Sequence, residues 1–335
     1  MIKYDFIVNP WQIIEQNFPR NRDEAHRLAF LLRYAILAPS SHNTQPWKFA
    51  VSRDEIAIFV NKDRWLRVAD ADQRELYTSV GCALENLLVA AEHFGYGYQL
   101  AYFPEVLNQG LVASVEFLPG RMTSSFRGPE LFDAIDARHT NHLPYDPRPI
   151  PEDALERIKA CVIEEGIALH LTGDLEPRRK ADELAGRADA IQFADPDFCE
   201  ELGYWIGEGA FGTPWLLTKL AQLASAYLDL GKYVAKPNSE RLLNAPVFGI
   251  ICAKENDRLS QVKVGQVFER IYLTATALGI RLQPMSQLTA VPEIRAELAD
   301  LIPKKDTFPQ QPFRLGYAEA EGSHTPRRPI AEIMV

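Results

Sequence analysis

Residues 33–49 read Arg33-Tyr-Ala-Ile-Leu-Ala-Pro39-Ser40-Ser41-His-Asn43-Thr-Gln-Pro-Trp47-Lys-Phe49. The stretch leaves an apolar helical pattern (Leu28, Leu31, Leu32, Ala35, Ile36), which a proline stops. It crosses an amide- and hydroxyl-rich loop and enters a strand, Trp47 to Val51. Hydroxyls, amides and backbone N–H groups gathered in so short a loop suit a polar heterocycle better than a metal or a nucleophile.

Working outward, two longer helical segments echo each other. Gly81 and Gly265, Leu84 and Phe268, Leu87 and Ile271, Leu88 and Tyr272, Ala91 and Ala275, and Gly95 and Gly279 all stand 184 residues apart. Each segment (72–95 and 258–279) ends in a glycine suited to a helix C-cap and then runs into an extended stretch (98–103; 281–284). The pattern predicts two related halves, 1–126 and 127–335.

In the first half we expect helix 22–38, strands near 47–52 and 55–60, helix 72–95, and strands near 98–103 and 111–118. The second half opens at Pro129 with a helix to Arg138. A helix from Glu152 to 165 follows, with Pro151 at its first turn, then strand 167–172. Helices near 176–193, 197–206 and 214–231 have no counterpart in the first half and read as an insertion. A lid over a site and plain extra packing are both compatible with it. Strand 246–252, helix 258–279, helix 292–301 and strand 312–317 complete the chain. The fold class is α+β, with two mixed sheets flanked by helices about a long-helix spine.

Arg138-His139-Thr140-Asn141-His142 lies between two helical segments. A cation, a hydroxyl and two imidazoles near helix ends suit an anion, most simply a phosphate. Composition excludes other classes. A net charge of −9 disfavours a nucleic-acid partner. No apolar run reaches the roughly 18–20 residues of a membrane span, and the first residues do not read as a signal peptide. The four cysteines (Cys82, Cys161, Cys199, Cys252) fit neither Cys-x-x-Cys nor zinc spacing. Reduced thiols in a cytoplasmic protein are the expectation. Gly207-Glu-Gly209-Ala-Phe-Gly212 matches G-x-G-x-x-G in letters only, since it follows a helical pattern rather than a strand. No Gly-x-Ser-x-Gly elbow and no zinc-spaced histidine set occurs.

The Pro39-Ser40-Ser41-His-Asn43-Thr-Gln-Pro-Trp47 run closely resembles the Pro-Ser-Ser-x-Asn-x-Gln-Pro-Trp signature of the FMN-dependent nitroreductase family. The distribution of matches over the two halves resembles the Acg-type tandem members, along nearly the whole chain. The resemblance implies a nitroreductase-like fold whose 72–95 and 258–279 helices form the spine of a pseudo-dimer. It implies FMN as cofactor, with Pro39, Ser40, Ser41 and Asn43 contacting it from the first half. Arg138 and Thr140 would take the phosphate and ribityl region. His142 replaces the usual basic residue near the pyrimidine edge.

Asn238 and Arg241 match an amide and a cation that face the pyrimidine. A cation there would stabilise the anionic reduced flavin. Ser286, followed by Gln287, matches the loop whose backbone N–H faces flavin N5, without the acidic residue common there. Arg327 and Arg328 resemble the family's basic phosphate ligands. One complete site would form at the junction of the halves, because the reciprocal loop and arginines are missing. The implied reaction is hydride delivery from NAD(P)H to flavin N5, then two-electron reduction of a nitroaromatic, quinone or similar planar acceptor. A flavin-storage protein with an occluded site and an inactive scaffold are the alternatives. The sequence does not choose between a monomeric pseudo-dimer and a homo-oligomer.

Overall fold

The computed structural model describes residues 9–105, 108, 110–120, 124–210, 242–303, 306–320, 322 and 324–335, and Arg241 in its backbone alone. The expected helix 214–231 and the side chains of Asn238 and Arg241 lie outside these residues.

Two antiparallel four-stranded sheets carry the fold. The first has the order β1-β2-β4-β3, from Trp47–Val51 (β1), Glu55–Val60 (β2), Tyr96–Tyr102 (β3) and Leu111–Pro119 (β4). The second has the order β5-β6-β8-β7, from Ile167–Thr172 (β5), Val247–Ala253 (β6), Arg281–Pro284 (β7) and Phe308–Gly316 (β8). The two orders are the same, and the β2–β4 and β6–β8 ladders each shift register once, at Ile58/Phe59 and Ile251/Cys252. The mixed pairing expected of these sheets is confined to isolated parallel bridges, Phe49 with Met334 and Thr140 with Leu282. In the first half, three residues join β1 to β2 and eight join β3 to β4, too few for a parallel crossover, and the helical crossover skips a place in each sheet.

The helices are Glu24–Ala35 (α1), Arg74–His93 (α2), Pro129–Ala137 (α3), Glu152–Lys159 (α4), Leu175–Ala194 (α5), Pro196–Gly207 (α6), Arg241–Asn244 (α7), Arg258–Ala277 (α8), Gln287–Ala290 (α9), Pro292–Ala299 (α10) and Ile330–Ile333 (α11). Helix α4 stops well short of 165, and β8 begins four residues before its expected start. It takes in Pro309 as well as Pro312, which the expected strand already held. Both pair with β6 beyond the point where β7 ends, so at these positions β8 is an edge, where proline is tolerated.

Helices α2 and α8 are buried on nearly every face and form the spine. An aspartate satisfies the first turn of each: Asp70, three residues before the Gln73 N-cap of α2, accepts from the Glu75 and Leu76 N–H groups, both at 2.8 Å, and Asp257, the N-cap of α8, accepts from Ser260 N–H at 2.8 Å. They cross at the glycine pair of the repeat. A Cβ on Gly81 would stand 2.1 Å from the Val262 carbonyl oxygen, and one on Gly265 would stand 2.0 Å from that of Thr78. Thr78 and Val262 are themselves 184 residues apart, so the crossing is reciprocal, and only glycine admits it.

The insertion divides its contacts. Helix α5 packs on its own half, where Arg187 meets Glu297 at 2.8 and 2.7 Å. Helix α6 reaches across to the first half. Glu201 there accepts from Val68 N–H (3.1 Å) and Ala69 N–H (2.9 Å), and Trp205 packs on Leu66 under the Arg64 guanidinium, 4.9 Å from the ring centre. Gly207 closes α6, so the G-x-G-x-x-G run starts at a helix end and not in a strand-to-helix turn. None of the described helices is long and apolar enough to cross a membrane.

Candidate functional site

Past α1 the chain turns through Pro39 into the first-half loop. His42, Asn43 and Gln45 all hold positive φ (48°, 50° and 51°). Non-glycine residues adopt this region at a cost of about 1–3 kcal/mol each, and such strain concentrates at functional sites. Side-chain bonds hold the loop in place. Ser40 Oγ accepts from Gln45 N–H at 2.9 Å. The Ser41 hydroxyl donates to the carboxylate of Glu75, which Arg74 holds from the other side at 3.0 Å. Asn43 Nδ2 donates to the carbonyls of Ala210 (2.8 Å) and Pro326 (2.9 Å), and Asn43 Oδ1 accepts from Arg327 Nη1 (2.9 Å). Asn43 is therefore committed to joining the loop, the insertion and the tail.

Arg138 follows α3 directly. Its Nη2 donates to the Leu37 carbonyl at 2.7 Å, and Arg327 Nη2 donates to the same oxygen at 3.1 Å. Two buried guanidiniums thus converge on one carbonyl. The Nε of each has no hydrogen-bond partner among the described residues. Burial, reinforced by the Arg138 charge, drives Arg327 well below the usual guanidinium range, and Glu269 opposes this. Such a pocket of excess positive charge suits an anion.

Tyr272, buried on α8, sets the direction of the Thr140 hydroxyl at 2.9 Å. His324 stacks on Trp11 with ring centres 3.9 Å apart, and Arg327 lies over the same Trp11 ring. Burial pushes His324 down to about 4, helped by the nearby charges of His139, Arg138 and Arg327, so it is neutral at pH 7.

These groups line one cavity of about 260 Å³. It brings Pro39, Ser40, Ser41 and Asn43 of the first half together with Arg138, Thr140, His142, Ser286 and Arg327 of the second. The backbone N–H of Ser286 has no acceptor among the described residues. Gln287 opens α9 and Arg328 turns its side chain to Glu332, with Nη2 2.9 Å from the Glu332 carbonyl; neither lines the cavity. Trp11, Glu75, Gln311 and His324 line it too, and sequence reasoning missed all four. They come from separate elements with no local motif. Glu269 could have been found, since it stands 184 residues after Glu85.

Glu85 shows what the repeat holds at the opposite side of the spine. Arg127 meets it at 2.8 and 2.9 Å, and Arg270 does the same at 2.8 and 2.9 Å. Burial alone would raise Glu85, but the two guanidinium charges outweigh it and hold the carboxyl at about 2. Arg127 also bonds Glu92, and Arg270 also bonds Glu164, each at 2.9 Å. These donors are spent within the protein.

No family model matches the chain. It is 26% identical over 322 residues to the provisionally named NAD(P)H nitroreductase Rv3131 of Mycobacterium tuberculosis, covering 93% of this chain and 92% of that protein. It is 27% identical over 318 residues to the likewise provisionally named NAD(P)H nitroreductase acg of the same organism, covering 90% and 93%. Among solved structures, the FMN-dependent nitroreductase NfnB of Mycobacterium smegmatis in complex with NADPH aligns at a TM-score of 0.41 with 17% identity, over 61% of this chain and 96% of that one. Along nearly its whole length, the chain is thus a homologue of the Mycobacterium tuberculosis proteins that carry the NAD(P)H nitroreductase name.

Proposed function

We propose that the chain is an FMN-dependent oxidoreductase of the nitroreductase type, with one flavin site assembled between two fused halves that act as a pseudo-dimer. The carrying observation is the convergence of Arg138 and Arg327 on a cavity that the Pro39–Asn43 loop closes from the other half. The donor set fits the cofactor: two buried cations that line the cavity suit a phosphate, and hydroxyls and an open backbone N–H suit a ribityl chain and a polar ring.

Bound FMN would accept a hydride from NAD(P)H and pass two electrons to a nitroaromatic, quinone or other planar acceptor. The protein's part is binding and orientation. Arg138 and Arg327 hold the phosphate, and Asn43 fixes Arg327. Ser40, Ser41 and Thr140 would lie against the ribityl chain or the ring, with His142 beside them. Ser286 offers its backbone N–H to N5. Asn238 and Arg241 complete the pyrimidine edge in this reading. No side-chain nucleophile is needed.

The docking of α6 beside the loop, through Glu201 and Trp205, favours a second reading: a flavin-holding protein whose covered site reduces little. Anaerobic addition of NAD(P)H to the purified protein separates the two. A yellow protein that bleaches supports the reductase. Bound flavin that stays oxidised supports the holding protein. A colourless protein that takes up no FMN overturns both.

A further inference from the structure

The repeat places a glutamate at the same position of both spine helices, and the two live in opposite circumstances. Glu85 is saturated by Arg127 and Arg270. Glu269 is equally buried, at 0% exposure, yet neither carboxyl oxygen has a hydrogen-bond partner among the described residues. Its nearest ion partner, Arg138 Nε, stands off at 3.6 Å, and that nitrogen is itself unpartnered. Arg138 is also the residue whose other face lines the cavity. Buried charges are normally paired and hydrogen-bonded, so this unsatisfied carboxyl calls for an explanation.

Charge counting supplies one. Arg138, Arg327 and an ionised Glu269 leave one net positive charge in the buried cluster. A phosphate dianion added to it would leave one net negative charge. If Glu269 takes up a proton, the cluster is neutral.

We infer that Glu269 is the counter-charge of the anion site: it balances Arg138 and Arg327 while no anion is bound, and it takes up one proton when a phosphate dianion replaces it as their partner. It thereby sets how strongly the site prefers a phosphorylated flavin over an unphosphorylated one. The inference rests on reading the cavity as a flavin phosphate site.

The surroundings agree. Burial, reinforced by Glu85 and opposed by the Arg138 and Arg327 charges and by the Asn86 amide, raises Glu269 to about 7, within reach of a proton-linked change near neutral pH. The groups facing it are Cys82, Glu85 and Asn86 from α2, Arg138 after α3, Arg327 from the tail, and Tyr272 on its own helix. Burial holds the Cys82 thiol and the Tyr272 hydroxyl well above neutrality, and Glu85 is fixed by its arginines. The Asn86 amide lies against the carboxyl and favours its ionised form, while Asn86 Oδ1 is unpartnered. A protonated Glu269 can donate to an amide oxygen, which an ionised one cannot. The cavity's imidazoles, His42, His139, His142 and His324, are the rival proton acceptors.

The test is calorimetric titration of the full-length apoprotein at pH 8, in two buffers of different ionisation enthalpy. The probes are FMN, riboflavin and inorganic phosphate. Uptake close to one proton per FMN and close to none per riboflavin is expected. From pH 7.5 to 9 the FMN affinity should fall by about tenfold per pH unit, the limit for one linked proton. In Glu269→Gln that slope should flatten and the proton uptake vanish. Uptake that persists in Glu269→Gln overturns the inference and assigns the proton to another group, such as one of the cavity's imidazoles. FMN binding without proton uptake in the native protein overturns it while leaving the flavin site standing. Failure of both FMN and inorganic phosphate to bind overturns the flavin site and the inference together. Should the variant not fold, the infrared difference spectrum of the native protein decides. It must gain a protonated-carboxyl band on FMN addition at pH 8, and no such band overturns the inference.

Discussion

At the scale of single residues, the site is a set of short tethers that convert distant sequence positions into one charged pocket. Leu37 contributes only its carbonyl, yet that atom fixes both Arg138 and Arg327. Arg138→Ala removes one of the two cations. A hydrogen bond to a charged group is worth about 1.5–3 kcal/mol, so FMN affinity should drop roughly 10- to 100-fold. Riboflavin lacks the phosphate, so its affinity should change far less. Fluorescence titration with both flavins measures the difference, and equal losses would remove Arg138 from the phosphate site. The sequence named fewer than half of the lining residues, chiefly those that fall in two compact runs and a tail. It could not show that Asn43 would spend its amide on Arg327 and Ala210, because those partners are brought to it only by the fold.

Among elements, the α2–α8 crossing governs how the two halves meet. Backbone touches backbone at Gly81 and Gly265, and a methyl group on either would press on a carbonyl oxygen that belongs to a helix and cannot swing away. Forcing extra volume into packed interiors costs about 1–3 kcal/mol. Gly265→Ala should therefore lower the denaturant midpoint of unfolding by a corresponding amount. An unchanged midpoint would mean that the helices do not approach this closely. The same crossing carries Glu85 to one side of the spine and Glu269 to the other, so a shift of the helices would disturb both charge clusters at once.

For the whole molecule, the two halves have diverged in what they do with equivalent positions. On the Glu85 side, Arg127 and Arg270 are consumed by carboxylates, and Phe126 lies under both guanidiniums at 4.7 and 5.1 Å. On the Glu269 side, the cations retain unpartnered Nε atoms and a cavity opens beside them. We expect about one FMN per chain, measured by absorbance of flavin released from protein of known concentration. A ratio near two would show a second working site and contradict the saturation of the Glu85 cluster.

The sequence by itself determined the repeat, the existence and type of most described elements, and the identity of the loop and arginine runs. Those properties are written in local periodicity, in glycine placement and in residue types at fixed spacing. Tertiary structure alone decided the rest. It separated Arg327, buried against Leu37, from Arg328, which turns to Glu332. It admitted two prolines into β8 by ending β7 before them. It brought Trp11, Glu75 and His324 to the cavity from three unrelated stretches. It also left one of two equivalent glutamates without a close hydrogen bond among the described residues. The reason is common to all four: whether a buried charge or a backbone group finds a partner depends on which segments the fold brings within about 3 Å, and no local pattern records that distance.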